Sequence, residues 1–278
     1  MRMPDLVWAV GRVALVSYVG LLLLLYFRQA KYIYYPSRAL NTTPATAGLD
    51  FSEVLVRTSD GETIHGWFVP VEKPLATVLF CHGNAGNIWG RIDVIWMLHE
   101  MGLNVCLFDY RGYGKSTGQP SEQGTYRDAE AVWNNLVTER GLAANQIVVW
   151  GESLGGGVAA WLALQKRPAA LILESTFTSL PDLAARFYPF MPVRWLCRFR
   201  YPTLTRLAEI QCPVLVAHSP DDEMIPFAMG QKLYLAAREP KRFLSLRGSH
   251  NTGRDETGKA FEEEVLTFLR EQMVKNPR

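Results

Sequence analysis

The sequence predicts an α/β fold, a mostly parallel central sheet flanked by helices, behind an N-terminal helix apolar enough to span a membrane. Three observations carry this expectation. From about residue 50 onward, short apolar runs alternate with longer stretches of helical periodicity, the rhythm of strands and crossover helices. One apolar run, IVVW, passes through Gly151-Glu152-Ser153-Leu154-Gly155 directly into a helical segment. Ahead of both lies an uncharged run, VALVSYVGLLLLLYF, at residues 13–27. The 278 residues suffice for one large domain, and a chain that is 48% hydrophobic and 20% charged can bury a sizeable core. With 29 basic against 27 acidic residues there is no global field to gather nucleic acid, which is not an expected partner.

Taken from Leu6 and tolerating Arg12, the N-terminal stretch reaches the roughly 20 residues that cross a bilayer, and Arg12 can snorkel toward the headgroups. A cleaved signal peptide competes, but cleavage after Ala30 would place Arg28 where a small residue is wanted. A buried core helix fits poorly, because the consecutive leucines 21–25 beside Val, Tyr and Phe leave no polar face. Residues 1–30 therefore read as a retained, single-pass membrane anchor. Arg28, Lys31 and Arg38 beyond the span outnumber Arg2 and Arg12 before it by one, which leans toward a cytoplasmic domain and leaves its side open. A polar, Pro-containing linker, 31–50, leads into the α/β domain, 51–278.

Within that domain FSEVLVRT (51–58) and TIHGWFVPV (63–71) flank an Asp-Gly turn and read as an antiparallel hairpin. ATVLFC (76–81), NVCLFDY (104–110), QIVVWG (146–151), ALILES (170–175), PVLVAHS (213–219) and KRFLSLRG (241–248) read as buried strands. Thr125 and Asp128 resemble a capping pair ahead of Ala129, Val132, Trp133, Leu136 and Val137, which share one helical face closed by Gly141. Phe261, Val265, Phe268 and Leu269 mark a last helix near 257–274. Cys81, Cys106, Cys197 and Cys212 lack CxxC spacing and read as packed thiols. Residues 176–210 break the rhythm with four prolines among aromatics and arginines, and are expected to form a lid inserted after a strand. Its Phe187, Tyr188, Phe190, Met191, Trp195 and Phe199 interleave with Arg186, Arg194, Arg198 and Arg200. Either these aromatics fill the lid's own core, or an apolar and basic face meets anionic headgroups and guides an acyl chain.

A GxSxG pattern between strand and helix is the setting of a nucleophile elbow, in which a tight, strained turn lifts the Ser153 hydroxyl above the sheet and flanking glycines allow close approach. A phosphate-binding loop is the rival, but no Gly-Lys-Ser/Thr follows. A serine hydroxyl is a weak nucleophile until a neutral imidazole takes its proton. Of His65, His82, His99, His218 and His250, only His250 follows the last strand, as the Ser, Asp, His chain order of such an elbow fold requires. His82, in Cys81-His82-Gly83-Asn84, suits an oxyanion loop, His218 a supporting place beside the acid loop, and His65 and His99 ordinary hydrogen-bonded positions. The acid is expected after PVLVAHS, where Asp221, Asp222 and Glu223 compete and loop chemistry alone does not choose. Arg111, in DYRGYGKS, is expected to tie loops together.

These stretches, with Tyr34-Tyr35-Pro36, Asp109 to Gly114, Glu174-Ser175 and Ser249-His250-Asn251, make nearly the whole chain resemble the α/β-hydrolase-domain serine hydrolases, especially their single-pass membrane-anchored esterase and acyl-thioesterase branch. The resemblance implies an α/β-hydrolase fold and a catalytic triad of Ser153, Asp222 and His250. The family's acid loop reads His-Gly-x-x-Asp-Glu, and aligning its histidine with His218 places the acid at Asp222, although Ser219 stands where glycine is usual. It also implies an oxyanion hole formed by the N–H groups of Asn84 and Leu154.

The expected activity is hydrolysis of the carboxylic ester or thioester bond of an acyl substrate, a lipid or a lipidated protein, at a membrane surface, with no cofactor and no metal. The rival readings are a catalytically silent, membrane-tethered binding module and a peptidase; a peptidase of this fold commonly carries a large gating domain, for which the upstream sequence is short. Dehalogenase chemistry would want a carboxylate where Ser153 stands. Fold and triad are shared across many reactions, so they do not name the substrate.

Overall fold

In a computed structural model describing residues 3–275, one mostly parallel sheet collects every predicted strand: β1 (Ser52–Arg57), β2 (Thr63–Val69), β3 (Thr77–Cys81), β4 (Asn104–Phe108), β5 (Ile147–Glu152), β6 (Ala170–Glu174), β7 (Val214–His218) and β8 (Lys241–Ser245). Their order is β1-β2-β4-β3-β5-β6-β7-β8, with β2 antiparallel to both its neighbours and all other pairs parallel. Strands β3, β4, β6 and β7 are buried at every residue, because helices cover both faces of a parallel sheet. β8 departs from the expectation of a buried strand: it is the last strand of the sheet, and its residues are half-buried or exposed.

One face of the sheet packs on α3 (Glu122–Thr138), α4 (Leu154–Lys166) and α8 (Phe227–Ala236), through Val132, Trp133, Val158 and Leu233. The other packs on α2 (Ile92–Glu100) and α10 (Lys259–Lys275), through Ile95, Leu98, Phe261 and Phe268. α10 covers the predicted last helix and follows a short helix, α9 (Gly253–Thr257). All four cysteines are buried and free. Burial pushes the Cys106 and Cys212 thiols up to about 12, which keeps them inert.

α3 begins earlier than its sequence pattern suggests. Its N-cap is Ser121, whose Oγ accepts the Gly124 N–H at 3.1 Å. Thr125 and Asp128, expected to cap it, are instead buried within the helix. Asp128 accepts from the Arg111 backbone N–H (2.8 Å) and Nε (2.9 Å), and Arg111 also donates to Asp60 (2.8 Å) in the hairpin turn. The long-range guanidinium offers more than a helix end could, so the carboxylate turns inward. Gly141, expected to close the helix, lies beyond its end at Thr138.

α1 (Met3–Ile33) is a single continuous helix, long and apolar enough to cross a membrane. Arg2, counted in the charge balance, lies outside the described residues. Beyond α1 the chain stays against the domain: Tyr34 is buried, Pro36 bridges Gly86, and a 3-10 turn forms at Pro44–Ala47. Residues 176–210 carry α5 (Leu180–Phe187), α6 (Val193–Leu196) and α7 (Thr203–Leu207). α5 is capped by Ser179, and the segment's far end is tied to α3, where the Glu122 carboxylate accepts the N–H groups of Arg200 (2.5 Å) and Tyr201 (2.9 Å). Phe190 and Trp195 do not fill a core of their own; they are 92% and 86% exposed.

The Arg111–Asp128 pair is nearly dry, with side chains 6% and 0% exposed. Asp60 would still pair with the guanidinium if Asp128 were lost, but losing the guanidinium strands a fully buried carboxylate, so Arg111→Ala is expected to cost about 3–5 kcal/mol. Lys115→Ala, which breaks an exposed pair with Glu53, should cost less than about 1 kcal/mol. Denaturation midpoints of the two variants in detergent would show the contrast.

Candidate active site

The chain leaves β5 and enters α4 through a single residue, Ser153, whose φ of 52° and ψ of −117° lie where side chains are rarely tolerated. Neighbouring elements hold the turn: the Ser153 N–H donates to Glu174 O (2.9 Å), and its carbonyl accepts from Gly156 N (3.0 Å) and Thr176 Oγ1 (2.6 Å). Glycine at 155 is obligatory here, since a Cβ there would stand 1.9 Å from Cys81 O. The hydroxyl projects from this turn, and its Oγ–H donates to His250 Nε2 at 3.0 Å.

His250 comes from the loop after β8 and Asp222 from the loop after β7. His250 Nδ1–H donates to Asp222 Oδ2 at 2.8 Å, which leaves Nε2 as the acceptor facing Ser153. The other carboxylate oxygen of Asp222 accepts the N–H groups of Met224 (2.9 Å) and Ile225 (2.7 Å), fixing the plane of the group. Of the competing carboxylates, Asp222 meets the imidazole, Glu223 accepts the His250 backbone N–H (3.0 Å), and Asp221 offers its own N–H to Ser219 Oγ (3.1 Å). Ser219 is more than a tolerated departure from glycine: its hydroxyl donates to Gly248 O (2.5 Å), joining the two loops. His218 supports the acid loop as expected, with Nε2 donating to Ile225 O at 2.9 Å.

Burial disfavours a charged imidazole, but the hydrogen bond and charge of Asp222 outweigh it, so the His250 pKa lies above the ordinary histidine value. For Asp222, burial favours the neutral acid, yet bonds from His250 and Ile225 hold its pKa below the usual carboxylate range.

Asn84 and Leu154 border the same cavity as Ser153. The loop that carries Asn84 presses on the elbow, since a Cβ on Gly83 would lie 3.4 Å from Ser153 Cβ. His82 sits beneath this loop, its Nδ1–H donating to Gly83 O (2.7 Å), while Arg91 donates to Gly83 O (3.1 Å) and Asn87 O (2.9 Å). The Asn84 side chain has a second job that its sequence context did not show. Its Oδ1 accepts from Tyr113 OH (2.8 Å) and Tyr35 N (3.2 Å), and its Nδ2 donates to Ile33 O, so it grips the end of α1. His65 and His99 stand apart, 3.5 Å from Glu53 and 3.8 Å from Glu100.

Sequence reasoning missed two features. Beneath the elbow, Arg254 joins Glu174 (2.9 Å) to Glu152 (3.4 Å), and Trp150 Nε1 donates to Glu174 (3.0 Å). Glu152 is the first variable residue of GxSxG and Arg254 lies four positions after His250; those positions are the available signal. The second is the cavity itself, about 530 Å³, whose walls are α1 (Leu22, Tyr26), the 176–210 segment (Leu183, Phe187) and the elbow (Ser153, Leu154).

Residues 76–276 match the alpha/beta hydrolase fold family. The chain belongs to that family. It is 38% identical over 267 residues to an uncharacterized protein of Mycobacterium tuberculosis, covering 94% of this chain and 95% of the relative. It is 36% identical to the alpha/beta hydrolase domain-containing protein WAV2 of Arabidopsis thaliana, covering 80% of each, and 35% identical to lysophosphatidylserine lipase ABHD12 of Macaca fascicularis, over 60% of this chain and 47% of that one. A Pyrococcus furiosus esterase superposes with a TM-score of 0.73 at 21% identity, over 87% of this chain and 98% of that one, and shares the fold.

The His250 pKa offers a direct check on the hydrogen-bond chain. Asp222→Asn removes a negative charge from beside the ring, which destabilises the imidazolium, so the proton leaves at lower pH. NMR titration of the ring should place the native midpoint above ordinary histidine and the variant's clearly below the native one.

Proposed function

We propose that this protein is a serine hydrolase that cleaves the ester or thioester bond of acyl substrates through an acyl-enzyme, at a membrane surface. The carrying observation is the unbroken hydrogen-bond chain Ser153–His250–Asp222, whose serine borders a largely apolar cavity. In this reading the substrate's carbonyl lies over Ser153. His250 Nε2 takes the hydroxyl proton as Oγ bonds to the carbonyl carbon, and Asp222 stabilises the resulting imidazolium. The N–H groups of Leu154 and Asn84 receive the oxyanion. Collapse breaks the bond to the leaving alcohol or thiol, which departs with the proton from Nε2. Water, deprotonated by the same imidazole, then attacks the acyl-enzyme and releases the carboxylic acid.

The esterase and lipase among its similar proteins support hydrolysis, and α1 supports the membrane setting. Leu21, Leu23, Leu24 and Phe27 face outward on α1, 42% to 71% exposed, as a lipid-contacting helix requires. Exposed Phe190 and Trp195, among the arginines of the lid, form an apolar and basic surface suited to headgroups. A retained anchor accounts for α1 better than a removed signal does, because its second half lines the cavity.

A fluorophosphonate probe should label the protein at Ser153 and leave Ser153→Ala unlabelled; a binding module would not react at all. Ser153→Ala and His250→Ala should each lower turnover by on the order of 10⁴-fold or more, and the double variant little further, because the residues act as a unit. Strongly additive losses would count against the assignment. Asp222→Asn should lower turnover steeply and Asp221→Asn hardly at all. Since the base must be neutral, kcat/KM should rise with pH through the elevated His250 pKa.

A further inference from the structure

We infer that the N-terminal helix is a working wall of the substrate site: α1 and the lid enclose a single linear acyl chain arriving from the bilayer, and Gln29 holds the wall in place. The inference deepens the serine hydrolase reading and rests on it.

The half-buried positions of α1 between residues 21 and 33 are 22, 25, 26, 29, 30 and 33, an i, i+3, i+4, i+7 stripe along one helical face. Of these, Leu22, Leu25, Tyr26, Gln29 and Ile33 line the cavity that Ser153 also borders. On the opposite face Leu24 and Phe27 are 48% and 71% exposed, so the same helix presents one side to the cavity and the other to its surroundings.

Gln29 is the polar member of the stripe, and both ends of its amide are engaged by the lid backbone. Nε2 donates to Leu196 O (2.7 Å), and Oε1 accepts the Arg198 N–H (2.7 Å). The clasp satisfies both ends of a half-buried amide, and it binds two segments 167 residues apart in the chain. Arg198 lies over the Tyr26 ring at 5.4 Å, and Tyr18 OH donates to Phe190 O at 3.2 Å. From Tyr18 to Gln29 is about 16 Å along the helix axis. Tyr18 lies inside the uncharged run 13–27, so the lid meets α1 alongside the segment suited to hydrocarbon. A chain sliding in from that side passes between two apolar walls toward Ser153. Each methylene buried there strengthens binding, so the walls set which chain lengths are preferred.

The test uses the full chain in detergent micelles with p-nitrophenyl butyrate and p-nitrophenyl palmitate. Leu25→Trp, which fills the chamber, should lower the palmitate-to-butyrate ratio of kcat/KM by about tenfold or more. Leu24→Trp, on the outward face, should leave the ratio unchanged. Gln29→Glu adds no bulk, but a carboxylate cannot donate to Leu196 O; it should raise KM for palmitate more than for butyrate. Fluorophosphonate labelling of Ser153 in each variant reports that the site is assembled. Equal ratios in Leu25→Trp, Leu24→Trp and the native protein, or a Gln29→Glu variant with native KM values, would overturn the inference while the Ser153 chemistry stands. Butyrate hydrolysis that survives Ser153→Ala would overturn the parent reading and the inference together.

Discussion

Between Glu152 and Leu154 the backbone turns through a conformation that costs a residue with a side chain on the order of 1–3 kcal/mol. The turn persists because its surroundings over-determine it. Glu174 O and Thr176 Oγ1 hold the two sides of the Ser153 peptide, and Gly155 lets the first turn of α4 close on Cys81. Those contacts draw together the ends of β3, β5 and β6. They thereby fix where the His82-Gly83-Asn84 loop and the lid must begin. The site is assembled at the carboxyl ends of parallel strands, where loops from distant parts of the chain converge.

Charge is distributed around this turn in two layers. On the cavity side, Asp222 and His250 form a directional chain whose pKa shifts run in opposite directions, each stabilising the other's charged form. On the core side, Glu174 and Glu152 share Arg254. Burial raises the Glu174 pKa, an effect Arg254 opposes, so this guanidinium keeps a buried carboxylate compatible with the strand that anchors the elbow. Asp109 shows the contrasting case: buried with only the Ile88 N–H and a more distant Arg91 in its favour, its pKa is pushed up to about 7. It lies 3.8 Å from the buried His82 ring, behind the loop that carries Asn84.

The junction between α1 and the domain couples the N-terminal helix to that same loop. The Asn84 side chain grips the carbonyl of Ile33 and the N–H of Tyr35, Gly86 pairs with Tyr35 and Ser37, and Tyr34 OH meets Tyr201 OH at 2.7 Å. A helix that served only as a tether would need none of these bonds. Their presence ties the position of α1 to the backbone of Asn84, whose N–H is the proposed oxyanion donor.

Much of this was legible in the sequence, because strand runs, helix faces and the glycine-flanked serine are local signals whose period and turn chemistry survive without a partner. The eight strands, the last helix and the serine elbow come from such signals, and the downstream histidine from its place in the chain order. The α3 cap is not legible locally because Asp128 serves a distant guanidinium, nor is the exposure of β8, because burial depends on which strand ends the sheet. Choosing Asp222 over Asp221 needed the family's acid-loop pattern, and the structure then brought its carboxylate to the imidazole. The Gln29 clasp, the Asn84 grip, the Arg254 network and the role of α1 as a cavity wall were decided only by tertiary structure. Each joins residues between about 50 and 170 positions apart. The direction in which such side chains meet is set by the packing of whole elements, which no local pattern of residues encodes.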